Sequence, residues 1–292
     1  MYYKTRGYQV FTFINYTLLV LISLSCILPF IHILAVSFSG SAPANANLVT
    51  LWPIDFNTDA YAQTIKNPNF HRALFIAAER TVLGTVLGMA VITLAAYALS
   101  KDRSFFRTRH YYTWFFLITM LFNGGIVPSY MAIREYGLMN SIWALILPPA
   151  VNVFNMVLLM NFFRNVPKEL EEAAVIDGAG QFRTLTSIYL PISLPALATI
   201  SLFTMVFHWN SWFDGLLYIS DYRNYPLATF LQTVIVQQDF NQINPDVNVL
   251  KNISQRTVKS AQIFIGTLPI LLVYPFLQKY FVKGIVLGAV KE

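Results

Sequence analysis

The sequence predicts an all-α membrane protein with six transmembrane helices, and three observations carry that prediction. Of 292 residues, 56% are apolar and only 12% charged, whereas a soluble domain carries about a quarter charged residues. Five segments, 10–38, 74–99, 141–163, 190–218 and 261–282, are apolar enough to cross hydrocarbon, which takes roughly 20 such residues for about 30 Å. Lys and Arg are also spread unevenly over the segments that alternate between them.

The first span, 10–38, is too long for a signal-peptide core and lacks a convincing small-residue cleavage site, so it reads as retained. It holds Cys26, the single cysteine. An intrachain disulfide is therefore impossible, and Cys26 is expected to be a small packing residue. The loop 39–72 is rich in Ser, Ala, Pro and Asn around Leu51-Trp52-Pro53. It either caps the outer mouth, touches an outer partner or simply packs. After the second span comes an irregular third, 111–133, containing Asn123-Gly124-Gly125 and Pro128. These residues weaken a helix and free backbone groups that lipid cannot satisfy, so a bend facing protein or water is expected. In the fifth span, Pro191 and Pro195 are tolerated only in the early turns. A polar stretch, 220–260, carries a predicted amphipathic helix over 226–238. No internal repeat is evident, neither loop is large enough for its own core, and residues 1–292 read as one membrane domain.

Six spans put both termini on one side. With that side inward, the inner segments hold twelve Lys and Arg, including Lys101, Arg103, Arg107 and Arg109, against seven in the longer outer segments. The positive-inside rule then makes both termini cytoplasmic. The net charge of +6 follows from positive loops beside anionic lipid, with no need of nucleic acid.

Enzyme chemistry is missing. There is no phosphate-binding G-x-x-x-x-G-K-[ST], not even a Gly-Lys dipeptide, and neither H-E-x-x-H nor G-x-S-x-G. The four histidines, His32, His71, His110 and His208, lack metal-ligand spacing. His208 and Asp214 alone come near each other at membrane depth, and six residues is not a suggestive spacing.

Residues 164–189 form a different kind of segment, a polar connector between spans four and five. Glu169, Glu171 and Glu172 follow Pro167, which suits a helix start and its positive dipole end. Ala173 and Ala174 keep one face small. Asp177-Gly178-Ala179-Gly180 should end the helix, because Gly accepts the left-handed backbone of a cap. A second short helix can follow over 181–188, giving a rigid, exposed hook. A helix lying on the bilayer would be rich in Lys and Arg. Three glutamates against one lysine favour a protein partner instead.

Glu172-Ala173-Ala174, three residues, Gly178, nine residues, then Ile188-x-Leu190-Pro191 resembles the EAA loop of ABC importer permeases, EAA-x3-G-x9-I-x-L-P, at every fixed position. Asp177-Gly178-Ala179 is the usual form in that family. The likeness extends over nearly the whole chain. Asn123-Gly124-Gly125-Ile126-Val127-Pro128, Gly137-Leu138, Trp209-Asn210 and the C-terminal Lys279-Tyr280-Phe281-Val282-Lys283-Gly284 with Gly288-Ala289-Val290-Lys291 are similar to the carbohydrate-uptake branch. Within it, the chain looks like a maltose-type second permease of the oligosaccharide, aldouronate-like group. The terminal Glu292 departs from the Gly of many relatives.

The resemblance implies a type I (MetI-like) permease fold in a bacterial plasma membrane. Glu172, Ala173, Ala174, Asp177, Gly178, Ala179, Ile188, Leu190 and Pro191 would couple it to an ATPase. The implied partners are a homologous second permease, giving a heterodimeric pore, two ATP-binding subunits and an extracellular solute-binding protein delivering an oligosaccharide. ATP and Mg would be held by the ATPase, and this chain would carry no cofactor. Asn123, Tyr130, His208, Trp209, Asn210, Trp212 and Asp214 are candidate substrate-pathway residues, since aromatic rings suit sugar faces and amides or carboxylates suit hydroxyls. The two tryptophans could equally be packing or interfacial anchors. Glu79 and Arg80 are expected to pair with neighbouring subunits or to snorkel. Two rival readings remain at this stage. One is the same architecture carrying a non-sugar solute. The other is a membrane scaffold or sensor that docks a cytoplasmic regulator.

Overall fold

The computed structural model describes residues 5–241 and 255–289, and among them every regular element is helical. They divide into two compact units, 5–71 with 233–241 and 255–268, and 72–232 with 269–289. Residues 242–254 of the polar stretch 220–260, Val290 and Lys291 of the C-terminal motif and the terminal Glu292 lie outside the described residues.

The first unit begins with α1, Arg6–Ser37, capped by Thr5, whose hydroxyl accepts from the Tyr8 amide at 3.4 Å. Its 32 residues make a rod of about 48 Å. Only Ala35, Val36 and Ser37 at its end are buried, and Cys26 is exposed, so the expected packing role for that thiol is not met inside this chain. The loop after α1 folds back over that end through α2, Ser41–Asn45, and α3, Asp59–Lys66. The Ser39 hydroxyl donates to the Ala35 carbonyl at 2.6 Å and accepts from the Ile54 amide at 3.1 Å. The Phe38 ring stacks between Phe56 and Tyr61. Within this unit the loop is ordinary packing, although Trp52 stays 80% exposed.

The second unit is organised around α4, Pro68–Ser100, which is long and apolar enough to cross a membrane, as are α1 and the Gln255–Phe276 stretch of the last helix. The other expected rods are interrupted. In place of a third span are α5, Arg109–Leu121, and α6, Ile126–Glu135, meeting at 116°. The elbow is built by Gly125 at φ +91°, a left-handed backbone favouring glycine. Asn123 Oδ1 accepts from the Gly125 amide at 2.8 Å, and Ser129 Oγ donates to the Gly125 carbonyl at 2.8 Å.

The fourth span shortens to α7, Trp143–Ile146, and α8, Val153–Arg164. Pro148-Pro149 cannot donate the bonds that would continue α7, and Asn152 opens α8 by accepting from the Asn155 amide at 3.0 Å. The chain then runs through α9, Lys168–Ile176, and α10, Gln181–Thr184, a π-helical turn, Leu185–Tyr189, and α11, Leu190–Ile192. It bends by 84° into α12, Leu194–Asn210. Pro195 sits in the first turn of α12 and can make no bond to the preceding turn, so the helix redirects there. A second break at 211–212 precedes α13, Phe213–Tyr218. The expected fifth span, 190–218, is thus three helical pieces, α11, α12 and α13, rather than one. Completing the order are α14, Leu227–Asn241, which extends beyond the helix expected over 226–238, and α15, Gln255–Ala289.

One apolar cluster joins α4 to α8, α12 and the 181–192 stretch, through Ile92, Tyr97, Met156, Leu159, Phe163, Leu185, Tyr189 and Ile200. The helices come closest where the His208 ring lies on Gly84, so that a Cβ at Gly84 would meet ring atoms at 2.5–2.8 Å. Gly84→Ala is therefore expected to force α4 and α12 apart and to destabilise the fold by about 1–3 kcal/mol. The check is thermal unfolding of the detergent-solubilised protein, with an unchanged midpoint counting against this close packing.

Candidate functional site

The hook at 164–192 is built from local chemistry. Pro167 precedes α9, and Glu169 and Glu171 occupy its first turn, where the helix dipole favours carboxylates. At the other end the Gly178 amide donates to the Val175 carbonyl at 3.0 Å and the Ala179 amide to the Ala174 carbonyl at 2.8 Å. With Gly178 at φ +76°, this is a complete Schellman closure, which satisfies the last carbonyls and fixes the exit direction. Glu172, Ala173, Asp177 and Gly178 are exposed, Ala174, Ala179, Ile188 and Leu190 half-buried, and Pro191 exposed.

The most exposed large apolar side chains on the same hook are Ile176 at 85% and Phe182 at 73% exposure. Sequence reasoning passed over both, although each is an apolar residue inside an otherwise polar connector.

It gave Glu171 only a place at the helix start, whereas the side chain is engaged within the chain. Its Oε1 accepts from the Lys101 ammonium at 2.6 Å, and its Oε2 from the Tyr189 phenol at 2.6 Å. The Lys101 Nζ lies 4.0 Å from the Tyr97 ring centre and 4.3 Å from that of Tyr189, close enough for cation–π attraction to both. Burial pulls the Lys101 ammonium below its usual range, and the Glu171 carboxylate raises it part of the way back. A second pair joins the same elements at the surface, Lys168 to Asp102 at 2.5 Å. There Lys168 holds the Asp102 carboxyl below the ordinary carboxylate range, and Asp102 raises the Lys168 ammonium. These groups surround a cavity of about 530 Å³ lined also by Phe105, Arg109 and Glu172. No residue spacing could have announced pairs about 70 positions apart in the chain.

The seven pathway candidates separate into two sets. Asn123 lies exposed on the α5–α6 elbow, Asn210 and Trp212 are exposed at the α12–α13 break, and Trp209 is half-buried. Tyr130, half-buried, packs against the cluster around Ile133 and Leu145. His208 is buried against Gly84, and neither ring nitrogen has a hydrogen-bond partner among the described residues. Asp214 is engaged by Arg80 through both carboxylate oxygens, one at 3.3 Å. Arg80, fully buried, also donates to the Ser211 carbonyl at 3.0 Å. The expectation that Arg80 snorkels or pairs with another subunit is corrected. Its partner is inside the chain, because a guanidinium at this depth is stable only when matched to a carboxylate and carbonyls. Glu79 is half-buried beside a cavity that Arg72 and Asn224 also line.

Arg80→Ala is expected to destabilise the protein by about 3–5 kcal/mol, since it strands the Asp214 charge. The double change Arg80→Met/Asp214→Leu should cost less than Arg80→Ala alone. Denaturant unfolding of the three proteins checks the order. Asp102→Asn should shift the unfolding midpoint slightly, and equally at about pH 6 and about pH 8. The lowered carboxyl contributes fully above the ordinary aspartate value and loses its contribution only as pH falls through the depressed folded value. A shift that differs between the two pH values would contradict this.

Comparison with known proteins agrees with this architecture. The family model described as "Binding-protein-dependent transport system inner membrane component" matches residues 1–287. The polygalacturonan/rhamnogalacturonan transport system permease protein YtcP of Bacillus subtilis is 39% identical over 284 residues, covering 97% of this chain and 99% of that one. Protein LplC of Bacillus subtilis is 38% identical over 289 residues, covering 99% and 97%. A crystal structure of a bacterial ABC transporter involved in the import of the acidic polysaccharide alginate contains a chain with a TM-score of 0.86 at 31% identity, covering 96% of this chain and all of that one. A helical chain with several membrane-length apolar segments, an exposed hook and these relatives belongs to the binding-protein-dependent transport system inner-membrane family and is the permease subunit of an ABC importer.

Proposed function

We propose that this permease takes up an oligosaccharide, and that the 164–192 hook couples the passage to ATP hydrolysis by a separate cytoplasmic subunit. One observation carries the coupling reading. The hook is closed by hydrogen bonds at Gly178 yet leaves Ile176, Phe182 and the Glu172 carboxylate uncovered. Exposed apolar side chains beside a charged rim suit a protein cleft. In this reading Ala173 and Ala174 allow close approach, while Asp177, Gly178 and Ala179 set the angle between the two arms. Ile188, Leu190 and Pro191 carry the second arm into α12. ATP and Mg belong to the partner.

The assembly in this proposal has a homologous second permease, two ATP-binding subunits and an extracellular solute-binding protein. The chain lies in a bacterial plasma membrane with both termini cytoplasmic. The sixfold span count follows if each bent pair, α5–α6 and the 181–210 stretch, counts as one span and α8 completes the set. Oligosaccharide cargo is supported by what YtcP is named to transport and by the alginate importer. Both names point to acidic sugars as the first substrates to test. Asn123, Asn210 and Trp212 are the candidates left on the surface to meet a sugar. His208 and Asp214 act instead in holding α4 against α12 and α13.

Two measurements check this reading. Proteoliposomes holding the full complex should import acidic oligosaccharides in an ATP-dependent way, and transport of a non-sugar solute alone would reject the cargo. A Cβ at Gly178 would meet nothing within 4 Å, so a substitution there acts through the left-handed backbone at a cost of about 1–2 kcal/mol. Gly178→Val should lower uptake about tenfold at normal membrane insertion, and Gly178→Asn, which tolerates that backbone, should lower it less. Equal uptake by wild type and Gly178→Val would remove the coupling role.

A further inference from the structure

We propose that Glu171, Lys101 and Tyr189 form the joint through which the hook moves α4, as positioning residues that touch neither the ATPase nor the solute. The inference rests on the coupling reading above. It assigns a task to the residue just before the motif glutamate, whose side chain is paired within the chain whereas that of Glu172 is exposed.

On helix α9, Lys168 and Glu171, three residues apart and so on one side of the helix, reach the end of α4, while Glu172 and Ile176 are exposed at the rim of the cavity beside them and Ala173 is open to solvent. At the α4 end Lys168 and Glu171 meet two consecutive residues of opposite charge, Asp102 and Lys101. The two pairs differ in strength. Lys168 and Asp102 are 70% and 52% exposed, Lys101 and Glu171 only 8% and 15%. Exposed pairs contribute little and let go readily. In the buried pair both carboxylate oxygens are occupied, one by the ammonium and one by the Tyr189 phenol, and two aromatic rings flank the ammonium. Pulling Glu171 away would leave a charge stranded among rings. A displacement of α9 is therefore followed by Lys101.

The α4 end is itself held stiffly. Arg164 donates to the Leu99 carbonyl at 3.3 Å and Arg109 to the Lys101 carbonyl, the placement of cations that a helix C-terminus favours. Behind Lys101 run 33 residues of continuous helix, a rod of about 50 Å. The second arm of the hook is bound to the same joint. Tyr189 lies in the π turn, and the Tyr97 phenol donates to Gln181 Oε1 at 2.9 Å. Both arms and α4 thus share one set of side chains, Tyr97, Lys101, Glu171 and Tyr189.

The test uses the complete reconstituted complex and reads three quantities: co-purification of the ATPase subunits, stimulated ATP hydrolysis, and solute imported per ATP. In Lys101→Met and Glu171→Gln, co-purification should be unchanged and solute per ATP should fall about tenfold. The double variant should fall no further than the worse single one, because the two side chains act through each other. Tyr189→Phe removes one hydroxyl and keeps the ring, so it folds even if the charge variants do not. It should lower the ratio about two- to fivefold. An unchanged ratio in Tyr189→Phe and in either charge variant overturns the joint, as does loss of ATPase co-purification, which would make these residues docking contacts. Failure of the coupling reading looks different: Ile176→Cys in the otherwise native chain would give no cross-link to an ATPase subunit.

Discussion

Hydrocarbon cannot hydrogen-bond a peptide group, and that constraint governs every interruption in this chain. Some of the apolar segments are uninterrupted rods and others are broken, and two of the breaks bring their own donors and acceptors. At the α5–α6 elbow, Asn123 and Ser129 serve the Gly125 amide and carbonyl. At the α12–α13 break, Arg80 reaches the Ser211 carbonyl, and the Thr229 hydroxyl donates to the Trp212 carbonyl at 2.8 Å. Ser211 and the Gly215 amide both donate to Asp214. Proline redirects the chain only where a new helix can begin, as at Pro195.

The same economy governs charge. Arg80 and Lys101 are the buried cations among the described residues, and each is met by a carboxylate and further oxygens or rings. Arg80 closes the break at the end of α12 against α4. Lys101 closes the hook against the other end of the same helix. Helix α4 therefore carries a buried ion pair toward each end, with an apolar cluster between them centred on Ile92, Ala96 and Tyr97. A rod held in this way is fixed to its neighbours at two depths rather than one.

Individual residues show how far the chain could be read from its sequence. Gly178 was legible because only a left-handed glycine ends a helix in that manner, and the Schellman bonds are there. The elbow near Asn123 was legible because Asn123-Gly124-Gly125 and Pro128 weaken a helix, though not its angle of 116°, which depends on what α5 and α6 rest against. The breaks inside the fourth and fifth spans were not legible. Apolar composition measures affinity for hydrocarbon and is blind to whether Pro148-Pro149 or Ser211 breaks the backbone inside such a run. His208 and Asp214 were read as lining a path, since a polar residue at depth signals function. The sequence could not show that Asp214 had a cation waiting at Arg80.

Composition and segment length determined by themselves that this is a helical membrane protein, and the spacing of Glu172, Gly178 and Pro191 that it carries a glycine-closed hook resembling that of importer permeases, because those properties are local and additive along the chain. Tertiary structure alone decided which glutamate stays exposed and which is clamped to Lys101, and where Arg80 finds its carboxylate. Pairing between residues 70 and 134 positions apart follows from how helices pack. No local pattern encodes the register in which two distant helices meet.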